Sequence, residues 1–143
     1  MYFGTHPKQW TLRVGSFEEQ DFTDEVLPGG QVDRIVLDML APWECVETSA
    51  RLLRPGGVFM AYVTTTSQLS RTVETLRADR RFTEPYSWES MHRSWHVDAL
   101  AIRPDNRMIG HTGFLVRARR VADGVEAPRM RRRGAKNPEE EAQ

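Results

Sequence analysis

The stretch from Val32 to Trp43 constrains the fold of this chain more than any other. Its residues Arg34 to Leu37 predict a short buried strand, and Asp38 follows in a turn that Pro42 closes at the start of a helix. Ligands of open α/β sheets bind at the carboxyl ends of strands, so a carboxylate there is predicted to face a site. The alternative is that Asp38 caps the helix or the turn, a common role for an aspartate in such a loop.

The segments that follow extend this pattern to an α/β fold. Pro42 to Leu53 carries apolar residues at three- and four-residue spacing, which predicts an amphipathic helix. Val58 to Val63 is continuously apolar, as in a central strand covered by helices on both faces. A second helix is predicted from Ser67 to Ala78, so that two successive strand-helix units imply a parallel crossover.

The segments before and after these units have less regular patterns of apolar residues. Trp10 to Val14 predicts a short strand, and Val97 to Ile102 and Phe114 to Arg119 predict two more strands late in the sheet. Residues 1–120 are therefore predicted to form one domain. Residues 121–143 are rich in charge and predict a disordered tail, whose basic half could contact RNA phosphates, although a solvated tail is the simpler interpretation.

Composition excludes several classes of protein. Twenty basic and twenty acidic residues cancel, so the chain lacks the global positive field of a histone-like protein. The single Cys45 permits no internal disulfide, and the four scattered histidines predict no metal site, although His92 and His96 are four residues apart. No apolar run reaches the length of a membrane span or a signal peptide. We therefore expect no membrane partner and a cytoplasmic protein.

Several ordered segments resemble the tRNA adenine-58 N1-methyltransferases, class I enzymes that use S-adenosylmethionine (AdoMet). The resemblance covers roughly Trp10 to Arg120. It includes LDMLAPW from Leu37, LLRPGG from Leu52, TTTSQLSRTVETLR from Thr64, the segment from Phe82 to Val97, AIRPDNRMIGHTGFL from Ala101, and the arginines Arg117, Arg119 and Arg120.

This resemblance implies a partial Rossmann-like sheet with a closing antiparallel strand pair. It also implies AdoMet as cofactor, tRNA as partner, and a homo-oligomer, a tetramer in the family, when the N-terminal part is present. The glycine-rich turn that holds the cofactor after the first strand of the family is missing from this sequence. We therefore expect the C-terminal part of a catalytic domain, inactive by itself.

The resemblance also assigns roles to residues. Asp38 would accept from the exocyclic amine of the target adenine while positive charge develops on the ring, and it could contact the cofactor as well. Asp21 and Phe22 would frame the adenine of AdoMet, although counting forward from Trp10 places Ser16 and Phe17 there instead. The predicted substrate-binding residues are Met39, Pro42, Arg103, His111 and Thr112.

Some alternatives remain open at this point. His111 and Thr112 could instead belong to a connecting turn in which Thr112 caps the backbone. Glu89, Arg93 and Trp95 are predicted to be structural, as an ion pair and a core tryptophan. The chain as a whole could be a different AdoMet-dependent methyltransferase, or a non-catalytic remnant that binds RNA or a partner protein.

Overall fold

The computed structural model describes residues 10–19 and 31–128, and these form an α/β fold. In chain order the elements are β1 (Val32–Asp38), a short 3-10 helix (Pro42–Cys45), α1 (Val46–Leu52), β2 (Leu53–Val63), α2 (Thr66–Asp79), β3 (Tyr86–Trp88), β4 (Trp95–Asp98), β5 (Ala101–Pro104) and β6 (Phe114–Arg119). The main sheet has the order β1-β2-β6-β3, and β4 pairs with β5 in a separate two-stranded sheet.

The predicted strand-turn-helix unit is confirmed. β1 runs parallel to β2, with Ile35 beside Phe59 and Leu37 beside Ala61. The helical segment after Asp38 begins at Pro42, whose fixed φ suits a first turn, and continues into α1. β2 begins at Leu53, five residues before the predicted start, because its extended backbone runs through the Pro55-Gly56-Gly57 stretch.

The hydrophobic core lies between one face of the sheet and the two helices. Ile35 and Leu37 of β1 point into it, as do Phe59 and Ala61 of β2 and their neighbours on β6. Phe82, which follows α2, contacts the edge of the Phe59 ring at a centroid distance of 5.8 Å. These residues are nearly all buried, so the helix-covered face supplies most of the hydrophobic stabilisation.

The opposite face of the sheet is open among the described residues, which therefore do not confirm the prediction that helices cover both faces. Its side chains are Arg34, Val36 and Asp38 of β1, Val58, Met60 and Tyr62 of β2, Leu115, Arg117 and Arg119 of β6, and Tyr86 and Trp88 of β3. On β1 these residues are exposed, and on β2 they are half-buried. Continuous apolar sequence in β2 indicated burial, yet no described helix supplies the second layer.

The late strands also differ from the prediction. Val97 to Ile102 is not one strand but the tip of the β4-β5 hairpin, in which Ala99 adopts a positive φ of 45°. The antiparallel strand that closes the sheet beside β6 is β3, from the irregular aromatic stretch. Trp95 is 58% exposed, so the prediction of a core tryptophan is wrong.

The first described segment is not a strand. Residues 10–14 have no regular secondary structure, and Leu12 and Val14 are exposed, so the prediction of a strand from Trp10 to Val14 is wrong. A short segment with a few exposed apolar residues does not form a stable strand unless it pairs with a neighbouring strand.

Residues 121–128 of the predicted tail lie against the end of α2. The Val121 N–H donates to the Arg81 carbonyl at 2.8 Å, and the Ala127 N–H donates to the Arg80 carbonyl at 2.8 Å. Arg80 ends α2 with a positive φ of 65°, and its guanidinium donates back to the Ala127 carbonyl at 2.9 Å. Ala127 is buried, so this part of the segment packs on the folded domain.

None of the described helices combines the length and the apolar character that crossing a membrane requires.

Candidate functional site

Asp38 is the last residue of β1, beside Tyr62 of β2, on the open face of the sheet. Its carboxylate is exposed and has no hydrogen-bond or ion-pair partner among the described residues. No side chain caps the 3-10 helix or α1, so the alternative role of Asp38 as a helix cap is wrong. A free carboxylate at the carboxyl end of a parallel strand can accept hydrogen bonds from a ligand.

The loop after Asp38 is tied to the start of α2. The Gln68 side-chain amide donates to the Leu40 carbonyl at 3.0 Å, and its oxygen accepts from the Thr65 N–H at 3.0 Å. The Thr65 hydroxyl in turn accepts from the Gln68 N–H at 3.2 Å, which completes a capping box. One glutamine therefore stabilises the helix start and positions the loop that follows the candidate carboxylate.

Two of the predicted substrate-binding residues lie in this loop, with different exposure. Pro42 is fully buried beneath the turn, where it starts the 3-10 helix. Met39 is half-buried and packs on the core, with its sulfur 3.5 Å from the Cys45 sulfur. Met39 is therefore the more accessible of the pair.

Tyr62 connects the strand end to the segment before β6. Its hydroxyl donates to the Thr112 carbonyl at 2.6 Å. A Cβ atom at Gly113 would lie 2.4 Å from the Tyr62 ring, so only glycine fits at this position without displacing the tyrosine. The structure thus places the backbone carbonyl of Thr112 at the carboxyl ends of the strands.

His111 lies at the same edge and bridges three segments. Its Nδ1 is 2.8 Å from Glu89, its Nε2 is 3.3 Å from the Thr64 carbonyl, and its ring lies 4.6 Å from the Phe114 ring. The hydrogen bond to Glu89 is the main cause that raises the pKa of His111, followed by the hydrogen bond to Thr64. Glu89 forms its ion pair with this histidine and not, as predicted, with Arg93.

The remaining predicted residues are not brought to Asp38. Arg103 lies on β5 opposite His96, in the separate hairpin, and no described hydrogen bond or ion pair joins it to the strand ends. Ser16 donates to the Glu18 carboxylate at 2.6 Å, and Phe17 packs against the core. Asp21 and Phe22 lie outside the described residues.

Sequence reasoning missed Tyr62 and Gln68 at this site and gave Glu89 a different role. Gln68 carried a readable signal, since Thr65 followed three residues later by glutamine is the capping-box pattern. Tyr62 carried none, because a tyrosine inside an apolar strand is indistinguishable from a core residue until the faces of the sheet are known.

The described residues do not form a cradle for a nucleotide-like cofactor. Such a cradle is a glycine-rich turn between a strand and a helix, whereas Gly56 and Gly57 lie inside β2 and Gly113 precedes β6. The described part of the chain also holds no group of three or more residues arranged to bind a metal ion. What it offers at the strand ends is a set of hydrogen-bonded groups and the Asp38 carboxylate, which lies beside Tyr62.

Comparison of the sequence with known proteins finds relatives that are tRNA methyltransferases. No family model matches the sequence. The tRNA (adenine(57)-N(1)/adenine(58)-N(1))-methyltransferase TrmI of Methanocaldococcus jannaschii is 36% identical over 89 residues, which are 62% of this chain and 31% of that protein. The tRNA (adenine(58)-N(1))-methyltransferase TrmI of Thermus thermophilus is 28% identical over 113 residues, which are 76% of this chain and 40% of that protein.

Solved structures resemble the chain in fold. A SAM-dependent O-methyltransferase from Thermotoga maritima superposes with a TM-score of 0.65 at 29% identity, over 75% of this chain and 40% of that one. The tRNA (m1A58) methyltransferase TrmI from Aquifex aeolicus gives a TM-score of 0.60 at 24% identity, over 64% of this chain and 36% of that one.

The chain spans 31% to 40% of the length of these curated relatives. Its described fold is part of a Rossmann-like class I methyltransferase sheet. The resemblance seen in the sequence is therefore confirmed: the chain is a homologue, over part of their length, of the TrmI tRNA (adenine-58-N1)-methyltransferases.

Proposed function

We propose that this chain carries the base-recognition part of an AdoMet-dependent tRNA (adenine-58-N1)-methyltransferase, and that Asp38 receives the target adenine. The observation that carries this proposal is the free carboxylate at the end of β1, in a chain homologous to enzymes of that name. The proposed partner is tRNA, and the proposed setting is the cytoplasm, where tRNA is modified.

The chemistry demands little of the protein beyond alignment and charge stabilisation. N1 of adenine has a lone pair, and AdoMet, when bound, supplies an activated methyl group. As N1 is methylated, positive charge develops on the ring. The Asp38 carboxylate, accepting from the exocyclic amine, would orient N1 and stabilise that charge.

The neighbouring groups have supporting roles in this proposal. Gln68 holds the Leu40 carbonyl, and so limits the movement of the loop that follows Asp38. Tyr62 and Thr112 close the floor of the site through their hydrogen bond, and His111 with Glu89 forms its wall. The described residues give AdoMet no glycine-rich turn, so in this proposal the cofactor is held chiefly by residues outside the described part of the chain.

A chimera tests the role of Asp38. Residues 31–120 of this chain would replace the matching stretch of the Methanocaldococcus jannaschii relative, which retains its own N-terminal part. We expect the chimera to methylate tRNA and Asp38→Asn to lower turnover by about 10²-fold or more, the usual scale for one preorganised electrostatic contact. Asp98→Asn, an exposed acid on the β4-β5 hairpin, is the matched control and should change little.

Each outcome of this experiment decides between alternatives. Near-normal turnover of the Asp38→Asn chimera on tRNA would show that the carboxylate has no catalytic role. Binding of tRNA by the chimera without methylation of any substrate would favour a non-catalytic binding protein, which the lack of a glycine-rich turn in the described residues also favours. Methylation of a substrate other than tRNA would favour a different AdoMet-dependent methyltransferase.

A further inference from the structure

His111 lies between two acceptors of different kinds at the carboxyl ends of the strands. Its Nδ1 is 2.8 Å from the Glu89 carboxylate, and its Nε2 is 3.3 Å from the Thr64 carbonyl. Neither a carboxylate nor a carbonyl donates, so both contacts are hydrogen bonds only when both ring nitrogens carry a proton. A neutral imidazole has a single N–H. The geometry therefore fits the imidazolium, the doubly protonated form of the ring.

Deprotonation of the ring affects the two contacts unequally. Nδ1 faces a negatively charged group and Nε2 a neutral one, so the neutral ring retains its proton on Nδ1. The lone pair of Nε2 then faces the Thr64 carbonyl oxygen and repels it. Within the described residues Glu89 is the charged group that faces the ring, since the Thr64 carbonyl and the Phe114 ring at 4.6 Å carry no charge. The contact to Thr64 is thus the pH-dependent one.

The Thr64 carbonyl belongs to a peptide group that continues the hydrogen bonding. The Thr65 N–H lies in the same planar unit and donates to Gln68 Oε1 at 3.0 Å. The side-chain amide of Gln68 repeats the arrangement, because its nitrogen donates to the Leu40 carbonyl at 3.0 Å. We call this series of hydrogen bonds the His111–Leu40 relay. All its donors point in one direction, and hydrogen bonds aligned in this way strengthen one another.

We propose that His111 is a positioning residue for Asp38, which acts through the His111–Leu40 relay and only in its protonated form. Leu40 lies two residues after Asp38, so fixing its carbonyl limits the conformations of the backbone that bears the carboxylate. When Nε2 loses its proton, the relay loses its first donor and the hydrogen bond to Leu40 weakens. The consequence for methylation rests on the proposed function, whereas the relay itself does not.

The direction of the pH dependence follows from the same contacts. The hydrogen bond to Glu89 is the main cause that raises the pKa of His111, so the ring stays protonated to a higher pH than an isolated histidine. The relay is complete below this pKa and loses its first donor as the pH rises through it. Both side chains are exposed, and solvent screening keeps the effect modest.

Two substitutions separate the donor from the ring. His111→Gln keeps an N–H that can reach the Thr64 carbonyl and does not titrate, so its relay should be complete at every pH. His111→Phe keeps an aromatic ring against Phe114 but has no donor, so its relay should lack the first hydrogen bond at every pH. His96→Phe, on the β4-β5 hairpin, is the matched control.

An NMR titration of the full 143-residue chain tests the relay without any assay of activity. In the unaltered chain we expect the side-chain amide resonances of Gln68 to shift with the same midpoint as the His111 ring. The nitrogen shifts of the ring should show that Nε2 is the atom that loses its proton. His111→Gln and His111→Phe should lack this midpoint, and His96→Phe should retain it. Gln68 resonances that do not follow His111, or loss of the Nδ1 proton, would overturn the proposal.

The chimera with the Methanocaldococcus jannaschii relative tests the consequence for catalysis. At saturating tRNA we expect its turnover to fall about fivefold as the pH rises through the pKa of His111, the usual effect of one hydrogen bond, with KM little changed. The His111→Gln chimera should lack this pH step, and the His111→Phe chimera should have the lower turnover throughout. A merely structural histidine would change stability but would give no pH step that glutamine removes.

The two experiments can fail separately. A chimera that does not methylate tRNA at any pH contradicts the proposed function, while the NMR titration still decides whether the relay exists. Gln68 resonances that follow His111, together with a turnover that does not depend on its protonation, would show that the relay does not position Asp38. A pH step that persists in the His111→Gln chimera would assign the step to another group and refute the inference. Circular dichroism of each variant verifies that it is folded.

Discussion

At the scale of single residues, His111 shows how one side chain can join parts of a site that are distant in sequence. It contacts Glu89 and the Thr64 carbonyl, which are 22 and 47 residues away. Because one ring nitrogen lies against a carboxylate, the protonated form is favoured and the pKa of His111 is raised above its usual value. The contact is exposed and is therefore open to solvent screening.

The charge of His111 gives the contact a predictable pH dependence. A histidine whose pKa is raised on folding adds stability below its unfolded pKa of about 6.5, and this stability is lost as the pH rises through the folded value. We expect Glu89→Gln to lower the pKa of His111, which an NMR titration of the ring protons would measure. Asp98→Asn is the control. An unchanged His111 pKa in Glu89→Gln would contradict the assigned contact.

At the scale of elements, the start of α2 is hydrogen-bonded to the loop that follows the candidate carboxylate. Gln68 has two separate functions, one within the capping box and one through its donor to the Leu40 carbonyl. The first is a local pattern that the sequence carries, although sequence reasoning missed it, and only the fold revealed the second. This dual use makes the residue suitable for variants that separate helix stability from loop position.

Two substitutions of Gln68 should differ in stability. Gln68→Ala removes both functions and should lower the free energy of unfolding by about 1 kcal/mol, the usual effect of losing a cap. Gln68→Glu retains the oxygen that accepts from Thr65 and places an acid in the first turn, where the helix dipole favours it, but it cannot donate to Leu40. Urea denaturation should therefore rank Gln68→Glu as the more stable variant, and the reverse order would contradict this assignment.

The strands show where pattern reasoning succeeds and where it fails at this scale. β6 alternates buried Val116 and Ala118 with exposed Arg117 and Arg119, and this alternation was legible in the sequence. β3 has three residues and, within the part of the chain that the structure describes, pairs with β6 alone, so its pattern is too short to be distinguished from a loop. Its position is fixed by contacts on the open face, where Arg117 lies over the Tyr86 ring at 5.4 Å.

At the scale of the whole molecule, the described fold is one helical layer on a four-stranded sheet, with the other face open. Class I methyltransferases hold their cofactor at the carboxyl ends of such strands, by a glycine-rich turn on the same principle as dinucleotide-binding folds. The described residues include the strand ends but no such turn. In the proposed function, the candidate base site and the cofactor cradle are thus separate parts of the protein.

This separation predicts the behaviour of the chain by itself. We expect the 143-residue protein neither to bind AdoMet tightly nor to methylate tRNA, because the described residues provide no backbone cradle for the cofactor. Titration calorimetry with AdoMet and a methylation assay on tRNA measure the two properties. A micromolar affinity for AdoMet would contradict the prediction and would place a cofactor site in this chain.

The sequence by itself determined the local structure around β1 and α2. Apolar runs, Pro42 and the Thr65-Gln68 pair act on neighbouring residues, so their effects can be read without knowing the rest of the fold. The position of Asp38 at a strand end followed from the same local signals. The parallel pairing of β1 with β2 was also predictable, since a helical connection permits it.

Only the tertiary structure decided which side chains meet and which faces are covered. The free carboxylate of Asp38, the contact between His111 and Glu89, and the fit of Gly113 against Tyr62 all depend on segments that are brought together by the sheet. The placement of Arg103 on a separate hairpin depends on it too. Local patterns cannot encode these outcomes, because burial and pairing are properties of the packed sheet and not of any one strand.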